Sequence, residues 1–280
     1  MTQLGLAGMP RRLLSCTPTR LAAYEDCPRR YRMTYLDRPT PAKGLPWAHN
    51  SLGVSVHNAL RLWWELPAAR RTPAAAGALL ETAWLTAGYR DDAQSDEWRA
   101  AARGWVEGYV ATLDPAGDPA GLERTVSVPT ARLALSGRVD RIDDRDGELV
   151  VVDYKTGRVP PAAADVRGSR SLALYALAVA RTLRRACWRV ELHHLPTGTV
   201  AAAVHDQASL HRHLRRAEDT AEEIVAATER LADGEPAGEL FPPRTGPGCG
   251  LCDYRRHCPE GRVAAAAREP WSVLSAQPRR

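Results

Sequence analysis

Two short segments carry the residues best suited to metal-assisted chemistry. In GELVVVDYKTG, Asp153 and Lys155 are two positions apart, so on a strand both side chains leave the same face. Asp140 precedes them in LSGRVDRI, and the intervening DDRDG predicts a hairpin that brings both carboxylates together beside one ammonium. Two carboxylates suit Mg²⁺, which keeps several waters and bridges to phosphate oxygens. The alternative is a surface strand pair with a weak Asp–Lys ion pair.

Lysine is scarce in this chain, which makes Lys155 informative. Lysine and arginine total 38, and only Lys43 and Lys155 are lysines. Because lysine is a compact donor that can be positioned on a single atom, whereas arginine is a planar fork, chemistry is one reason to keep a lysine. It could hold an attacking water or stabilise charge developing on a phosphate. The alternative is a lysine that survives on a turn by chance.

A second set of candidate ligands lies in GPGCGLCDYRRHCPEG. There Cys249, Cys252 and Cys258 have the spacing C-x2-C-x5-C, which leaves a tetrahedral site one ligand short. Six cysteines in 280 residues are too sparse for a disulfide scaffold. The first residues lack the apolar core of a signal peptide, and no run approaches the roughly 18 to 20 apolar residues of a membrane span. We therefore expect a cytoplasmic protein whose cysteines bind metal or are buried.

The apolar pattern predicts the elements that position these groups. With 44% hydrophobic and 25% charged residues the chain can form one large domain, and its net charge of +5 allows a polyanionic partner without requiring one. We expect an arm (1–14), a helical region (15–115), an α/β core (122–232), a cysteine segment (240–260) and a frayed tail (261–280). The predicted helices are two short ones joined at Cys27, one at 51–65, further helices within 74–113, and helices at 165–185 and 207–232. The predicted strands are 123–133, 135–142, the GELVVVDYKTG run, and two strands joined by Pro196-Thr197-Gly198.

These motifs resemble a known family. An Asp in G-R-V-D-R-I-D followed by V-V-D-Y-K-T-G is similar to the active-site strands of the PD-(D/E)XK nuclease superfamily, specifically its RecB-like exonuclease branch. That branch carries G-x-x-x-H on an upstream helix, matched here by Gly53 to His57. The resemblance covers residues from about 15 to 260. It implies an α/β, restriction-endonuclease-like core with a mixed central sheet flanked by helices.

The resemblance also implies which residues act. The implied Mg²⁺ or Mn²⁺ ligands are His57, Asp140, Asp153 and Tyr154, and the implied catalytic residues are Asp140, Asp153, Lys155 and Tyr175. By itself a lone histidine is usually a packed or solvent-facing residue, so the role of His57 rests on the resemblance. The chain departs from the family at one position, where Ser171 replaces the Gln of Gln-x-x-x-Tyr. Ser lacks the reach of Gln, which puts the positioning of water or phosphate in question.

Members of the same branch hold an iron-sulfur cluster with one cysteine near the N-terminus and three near the C-terminus. Cys27, in Y-E-D-C-P-R-R-Y, matches the first, and Cys249, Cys252 and Cys258 match the others. The resemblance therefore implies a [4Fe-4S] cluster, for which four thiolates are the usual ligands. Zinc is a weaker alternative because structural zinc sites usually bring cysteines in two close pairs, and unligated thiols are a third possibility. The remaining cysteines, Cys16 and Cys187, are expected to be small buried residues.

The function that the resemblance implies is a divalent-metal-dependent DNA nuclease, an exonuclease acting on single-stranded DNA or DNA ends in repair or recombination. The alternatives are a catalytically weak DNA-binding or scaffold module that keeps the iron-sulfur cluster, and a zinc-containing regulatory protein. Since no Walker A motif is present, the protein either acts on exposed ends and single strands or works beside a separate helicase. Basic side chains available to DNA are Arg29, Arg30, Arg32, Arg167 and Arg170, unless these only solvate the surface.

Overall fold

The computed structural model describes residues 13–275, in which helices pack on both faces of a mixed β-sheet. The predicted fold class is therefore confirmed. Six strands form the sheet: β1 (Leu14–Cys16), β2 (Gly121–Pro129), β3 (Leu133–Arg145), β4 (Glu148–Lys155), β5 (Arg189–His194) and β6 (Thr199–Val204). No helix in the described part of the chain is long and apolar enough to cross a membrane.

The sheet is organised around the long strand β3. Its order is β1-β3-β4-β5-β6, and β2 pairs antiparallel with the other edge of β3. β1 runs parallel to β3 and β5 runs parallel to β4, whereas the other pairings are antiparallel, which makes the sheet mixed. The predicted hairpin joins β3 to β4 through Asp146 and Gly147, whose φ values of 52° and 90° are those a two-residue type I′ turn requires. This turn fixes the register that places Asp140 near Asp153.

Ten α-helices surround the sheet in the described residues. They are α1 (Pro18–Asp26), α2 (Pro28–Tyr35), α3 (Ala48–Glu65), α4 (Pro73–Ala83), α5 (Asp92–Val110), α6 (Ala163–Gly168), α7 (Arg170–Leu183), α8 (Gln207–Ala232), α9 (Ala237–Leu240) and α10 (Pro259–Ala264). Proline begins α1, α2 and α4, where its missing N–H has no helical partner to lose. Side chains of Thr17, Thr72 and Asp91 cap α1, α4 and α5 by accepting backbone N–H bonds.

Alternate residues of β4 face different cores. Val150, Val152 and Tyr154 pack against α3, α4 and α5, whereas Leu149 and Val151 face α7. A third core joins α1, α8 and the start of β3. Because side chains alternate along a strand, the catalytic candidates on either side of Tyr154 are directed away from the α3–α5 core.

The structure corrects several expected boundaries. Ser169 adopts an extended conformation and caps α7, so the helix expected at 165–185 is two helices, α6 and α7. The break between the first two core strands falls at 130–132, where the Thr130 hydroxyl accepts backbone N–H bonds from Arg132 and Leu133. The three-residue strand β1 was not predicted, because LSC is too short to show a period.

The expected arm and tail are also corrected where the structure describes them. Leu14 belongs to β1 rather than to a loose arm, and α10 extends the fold past residue 260. Leu274 is buried, and its carbonyl accepts hydrogen bonds from the side chains of Gln94 and Trp98, so this part of the tail is not frayed. The rest of the predicted arm and tail, 1–12 and 276–280, lies outside the described residues.

Candidate functional site

A cleft of about 790 Å³ opens where β3 and β4 meet α3. One face of α3 lines it with Asn50, Gly53, His57 and Arg61, which recur every three or four residues as neighbours on a helix surface do. Other walls come from β2, β3, the end of β4, α7 and the tail. The cleft therefore joins segments from nearly the whole length of the described chain.

Three side chains in this cleft form a potential cation site. One ligand atom each from His57, Glu123 and Asp140 lies within 4.8 Å of the other two, and all three residues are partly exposed. An imidazole nitrogen with two carboxylates is a donor set that fits Mg²⁺ or Mn²⁺. Among the described residues no other group of this kind was found.

Glu123 is the member of this group that the sequence did not reveal. The β2–β3 register pairs Leu122 with Arg141 and Arg124 with Val139, which places Glu123 opposite Asp140. Its φ of 43° lies in the left-handed region, a conformation that costs about 1–3 kcal/mol for a non-glycine residue and concentrates at functional sites. From the sequence, Glu123 could be placed opposite Asp140 only by deriving the β2–β3 register. That derivation requires the turn at 130–132 to be located correctly.

Tyr154 orients His57 through its backbone. The His57 Nε2 lies 3.2 Å from the Tyr154 carbonyl oxygen, and Nδ1 lies 3.3 Å from Asp140 Oδ2. If Nε2–H donates to the carbonyl, Nδ1 keeps the lone pair a metal ligand needs, as is usual for metal-binding histidines. The Tyr154 phenol is buried in the α3–α5 core, so only the carbonyl could serve the predicted metal role of Tyr154.

Asp153 and Lys155 form a separate pair beside this group. The Lys155 Nζ lies 2.5 Å from Asp153 Oδ2, as expected for side chains two apart on a strand. The Asp153 carboxylate is not part of the close group made by His57, Glu123 and Asp140. The metal-ligand role of Asp153 therefore stays a prediction, since its carboxylate lies outside this group.

The surroundings shift the acid–base properties of these groups in opposite directions. Burial alone lowers the pKa of His57, but the hydrogen bond and charge of Asp140 outweigh it and raise that pKa. Burial alone raises the pKa of Asp140, but His57 and the Tyr154 N–H outweigh it and lower that pKa. For Asp153 burial dominates and the neighbouring Asp140 adds to it, so its pKa is raised. Asp140 is thus the carboxylate most firmly held in its ionised form.

Tyr175 faces the cleft from α7, where the resemblance places it. A Cβ atom on Gly137 would come within 2.5 Å of its ring, so a larger residue at this point of β3 would displace the Tyr175 side chain. Burial and the charges of Asp153 and Asp140 raise the pKa of the Tyr175 phenol. Ser171, one helical turn earlier, does not line the cleft.

The arginines predicted to bind DNA lie elsewhere. Arg29, Arg30, Arg32 and Arg170 form ion pairs with Glu260, Asp26, Asp37 and Glu25, and Arg167 lines a different cavity. None of the five lines the cleft, whose arginines are Arg61, Arg138 and Arg158. The sequence could not separate these groups because arginine is common throughout the chain.

A buried polar network lies behind β4, and the sequence did not predict it. Arg141 is 2% exposed and donates to the hydroxyls of Tyr109 and Tyr154 and to the carboxylate of Asp143. The Tyr109 hydroxyl lies 2.7 Å from Nδ1 of His193, and Nε2 of His193 lies 2.8 Å from Glu191. This network therefore holds the side chain of the residue between Asp153 and Lys155.

The four cysteines of the predicted cluster line one cavity of about 380 Å³. Cys27, Cys249, Cys252 and Cys258 are all free thiols, and the cavity shares no lining residue with the cleft. Backbone N–H groups of Arg244 and Gly261 lie 3.4 Å from the sulfurs of Cys27 and Cys258. Such hydrogen bonds to sulfur are typical of iron-sulfur sites. As expected, Cys16 and Cys187 are buried away from this cavity.

The spacing of the sulfur atoms bears on which cofactor fits. No three of the four sulfurs lie within 4.8 Å of one another, although all four residues are among those described. A tetrahedral zinc ion with Zn–S bonds of about 2.3 Å would bring every pair of sulfurs to about 3.8 Å. The four sulfurs in this structure therefore do not have the geometry of a four-cysteine zinc site.

The family model of the PD-(D/E)XK nuclease superfamily matches residues 15–259. No curated protein matches this chain. A protein described as a candidate exonuclease from Eubacterium rectale shares 14% identity over 88% of this chain and 87% of its own, with a TM-score of 0.47. The protein SSO0001 shares 15% identity over 91% of both chains, with a TM-score of 0.39. Neither structural likeness is close enough to bear on activity.

Proposed function

Because the chain belongs to the PD-(D/E)XK nuclease superfamily, we propose that it is a divalent-metal-dependent deoxyribonuclease that hydrolyses phosphodiester bonds in single-stranded DNA or at DNA ends. The observation that carries this proposal is the close grouping of His57, Glu123 and Asp140 in an open cleft that also holds Lys155. Exonucleolytic action in repair or recombination, with a separate helicase where unwinding is needed, is the biological setting that we propose for this chemistry.

We assign the residues of the cleft separate roles in metal binding and in phosphate hydrolysis. A divalent ion supplies Lewis-acid stabilisation of the phosphate and lowers the pKa of a bound water. His57, Glu123 and Asp140 would hold that ion, and the Tyr154 N–H fixes the Asp140 carboxylate at 3.0 Å. Lys155 lies at the end of β4, half-exposed and oriented by Asp153, so it can donate to the attacking water or to the scissile phosphate.

DNA would reach the cleft along its own basic rim. Arg61, Arg138 and Arg158 line the cleft, and the first two are held by Glu65 and Glu123. Because Arg138 pairs with a proposed metal ligand, it could change partner from Glu123 to a phosphate when the metal neutralises that carboxylate. Arg29, Arg30, Arg32 and Arg170 could bind DNA only after giving up their carboxylate partners.

We also propose that Cys27, Cys249, Cys252 and Cys258 bind a [4Fe-4S] cluster. The gathering of Cys27 with the three C-terminal cysteines around one cavity supports this choice, since four thiolates are the usual ligands of such a cluster. The cluster would tie the junction of α1 and α2 to the C-terminal segment. Phosphodiester hydrolysis needs no redox step, so its role here is to hold structure.

Cleavage of end-labelled single-stranded DNA, with Mg²⁺, with Mn²⁺ and with chelator, tests the proposed activity. Lys155→Ala and Asp153→Ala should each lower the metal-dependent rate by at least about 100-fold, the loss expected for one electrostatic catalytic group. Lys43→Ala is the matched control, since it removes the other lysine, an exposed one outside the cleft. A Lys155→Ala variant that cleaves at the wild-type rate would remove this active-site assignment.

The same experiment separates the nuclease from a catalytically weak DNA-binding module. That alternative is favoured by Ser171, which stands where the family commonly has Gln and contributes nothing to the cleft. Wild-type protein that binds the labelled strand but leaves it intact with either metal would support the module and contradict the nuclease.

A further inference from the structure

A second basic cavity lies between α6, the end of β6 and the start of α8. Its volume is about 540 Å³, and it shares no lining residue with the cleft or with the cysteine cavity. Its titratable lining residues are Arg167, His205, Asp206, Arg212, His213 and Arg216. The lining therefore carries three guanidinium groups and two imidazoles against a single carboxylate.

The carboxylate of this cavity does not neutralise its arginines. Asp206 caps α8, and its Oδ1 accepts the backbone N–H of Ser209 at 2.6 Å. Within the described chain, Arg167, Arg212 and Arg216 form no ion pair, whereas the nearby Arg170 is paired with Glu25. Their positive charges therefore lack a protein counter-charge.

Two of these arginines repel each other along one helix face. Arg212 and Arg216 stand four residues apart on α8, an arrangement that destabilises a helix when both charges are alike. Burial lowers the pKa of His213, a hydrogen bond with the Arg167 backbone opposes this, and the charges of Arg216, Arg170 and Arg212 lower that pKa further. An anion in the cavity would relieve both repulsions at once.

His205 provides an independent sign of a ligand. It is 3% exposed, and its Nδ1 lies 2.8 Å from the Ser209 hydroxyl, but its Nε2 is buried without a hydrogen-bond partner. A buried polar atom left unpaired costs about 1–3 kcal/mol, so such atoms usually have a partner when the site is filled. When the Ser209 hydroxyl donates to Nδ1, the Nε2–H is a donor in need of an acceptor.

We propose that this cavity binds a phosphate group, held by Arg167, Arg212 and Arg216, with His205 in its wall. Guanidinium groups match phosphate oxygens as two-pronged donors, and no lysine is present to act as a point charge. The phosphate could belong to a DNA strand that continues beyond the cleft, which rests on the proposed nuclease function, or to a free phosphate compound. The site itself does not depend on that choice.

The first test uses inorganic phosphate with the full-length protein and no added divalent metal. Phosphate should shift the imidazole NMR signals of His205 and His213, whereas chloride at equal ionic strength should not. Arg212→Gln should weaken this phosphate binding about tenfold, since a hydrogen bond to a charged group is lost. Arg215→Gln is the matched control: it makes the same change on the same helix, outside the cavity. Equal phosphate binding by both variants, or no phosphate response in the wild type, would overturn the site.

The second arm identifies the source of the phosphate with a short oligothymidylate. If the strand supplies it, Arg212→Gln should reduce the slope of log affinity against log salt by about 0.7, the value for one phosphate contact to single-stranded DNA, and Arg215→Gln should not. Phosphate binding with an unchanged DNA slope would identify a free phosphate compound. A DNA effect without any phosphate response would show only diffuse attraction and would contradict the site. Cleavage assays remain separate, because failure of the nuclease leaves the phosphate titration unaffected.

Discussion

Replacing Arg141 with leucine should destabilise the protein by about 3 kcal/mol without unfolding it. The guanidinium is 2% exposed, and its Nε and Nη2 lie 2.7 and 3.0 Å from the two carboxylate oxygens of Asp143. It also donates to the hydroxyls of Tyr109 and Tyr154. Arg141→Leu would therefore remove one donor from a carboxylate and from two hydroxyls, and would leave only Arg145 paired with Asp143.

The magnitude follows from what remains after the substitution. Breaking a buried ion pair typically costs about 3–5 kcal/mol because the surviving charge is uncompensated. The low end applies here, since Arg145 still lies 2.9 Å from Asp143 and leucine would pack against Trp64, over which Arg141 lies. At about 2–4 °C per kcal/mol for a chain of this size, the melting temperature should fall by roughly 6–12 °C.

Thermal unfolding followed by circular dichroism measures this effect, and the chain supplies a matched control. Arg185 forms a two-pronged pair with Asp144, the residue next to Asp143, but both side chains are 40% exposed. Arg185→Leu should leave the melting temperature nearly unchanged, because solvent already screens an exposed pair. If both variants melted alike, burial of Arg141 would not be the source of its contribution.

A double-mutant cycle measures how much of the loss of stability comes from the interaction between Arg141 and Asp143. When Asp143 is also replaced, by asparagine, the stranded charge disappears and the combined loss should be smaller than the sum of the two single losses. Additive losses would refute the idea that Arg141 acts by compensating Asp143. Because Tyr154 precedes Lys155, Arg141→Leu should also slow cleavage, whereas Arg185→Leu should not.

Four other outcomes are expected. Glu123→Gln should weaken Mn²⁺ binding at least about tenfold, as measured by calorimetry on the apo-cleft, and unchanged affinity would exclude Glu123 as a ligand. Cys252→Ser should give colourless protein with a lower melting temperature and weaker DNA binding, and a colourless variant that melts and binds DNA like the wild type would show that the cluster is not structural. Ser171→Gln should equal or exceed wild-type cleavage, because it restores the longer amide; a silenced enzyme would assign Ser171 a role of its own. Burial raises the pKa of Cys187 to about 12 and that of Cys16 to about 11, so at a pH of about 8 both stay protonated and should resist alkylation in the folded protein, and rapid modification of either would contradict their burial.

The parts of the fold that the sequence predicted are those with local signals. The Asp146-Gly147 turn placed β3 against β4, and the regular pattern of α8 predicted its bounds at 207–232. The misplaced boundaries depended on single side chains instead. Ser169 caps α7 within a run that otherwise looks like one helix, and the Thr130 hydroxyl sets where β2 ends. Such contacts do not change the periodic pattern of apolar residues from which helices and strands are predicted.

The residues of the candidate site also divide into those that the sequence could predict and those that it could not. Asp140 and Lys155 could be found because the hairpin and the strand spacing place them on neighbouring strands, and His57 could be found because its motif lies on an upstream helix. Glu123 could not, since its place opposite Asp140 depends on a register between strands and on a left-handed backbone conformation. The prediction of DNA-binding arginines was incomplete for a third reason. Charge alone does not indicate which carboxylate an arginine pairs with, and Arg170, for example, pairs with Glu25.

Because lysine is scarce in this chain, chemical modification of lysine can report on the cleft. An amine-reactive reagent can modify only two side chains of this protein, the half-exposed Lys155 in the cleft and the exposed Lys43 outside it. The ratio of the two adducts, read by mass spectrometry of one digest, would report how much of the cleft is covered by any strand, metal or inhibitor. Lys43 serves as the internal standard for reagent dose, so occupancy could be followed in crude mixtures without a radioactive substrate or an engineered tag.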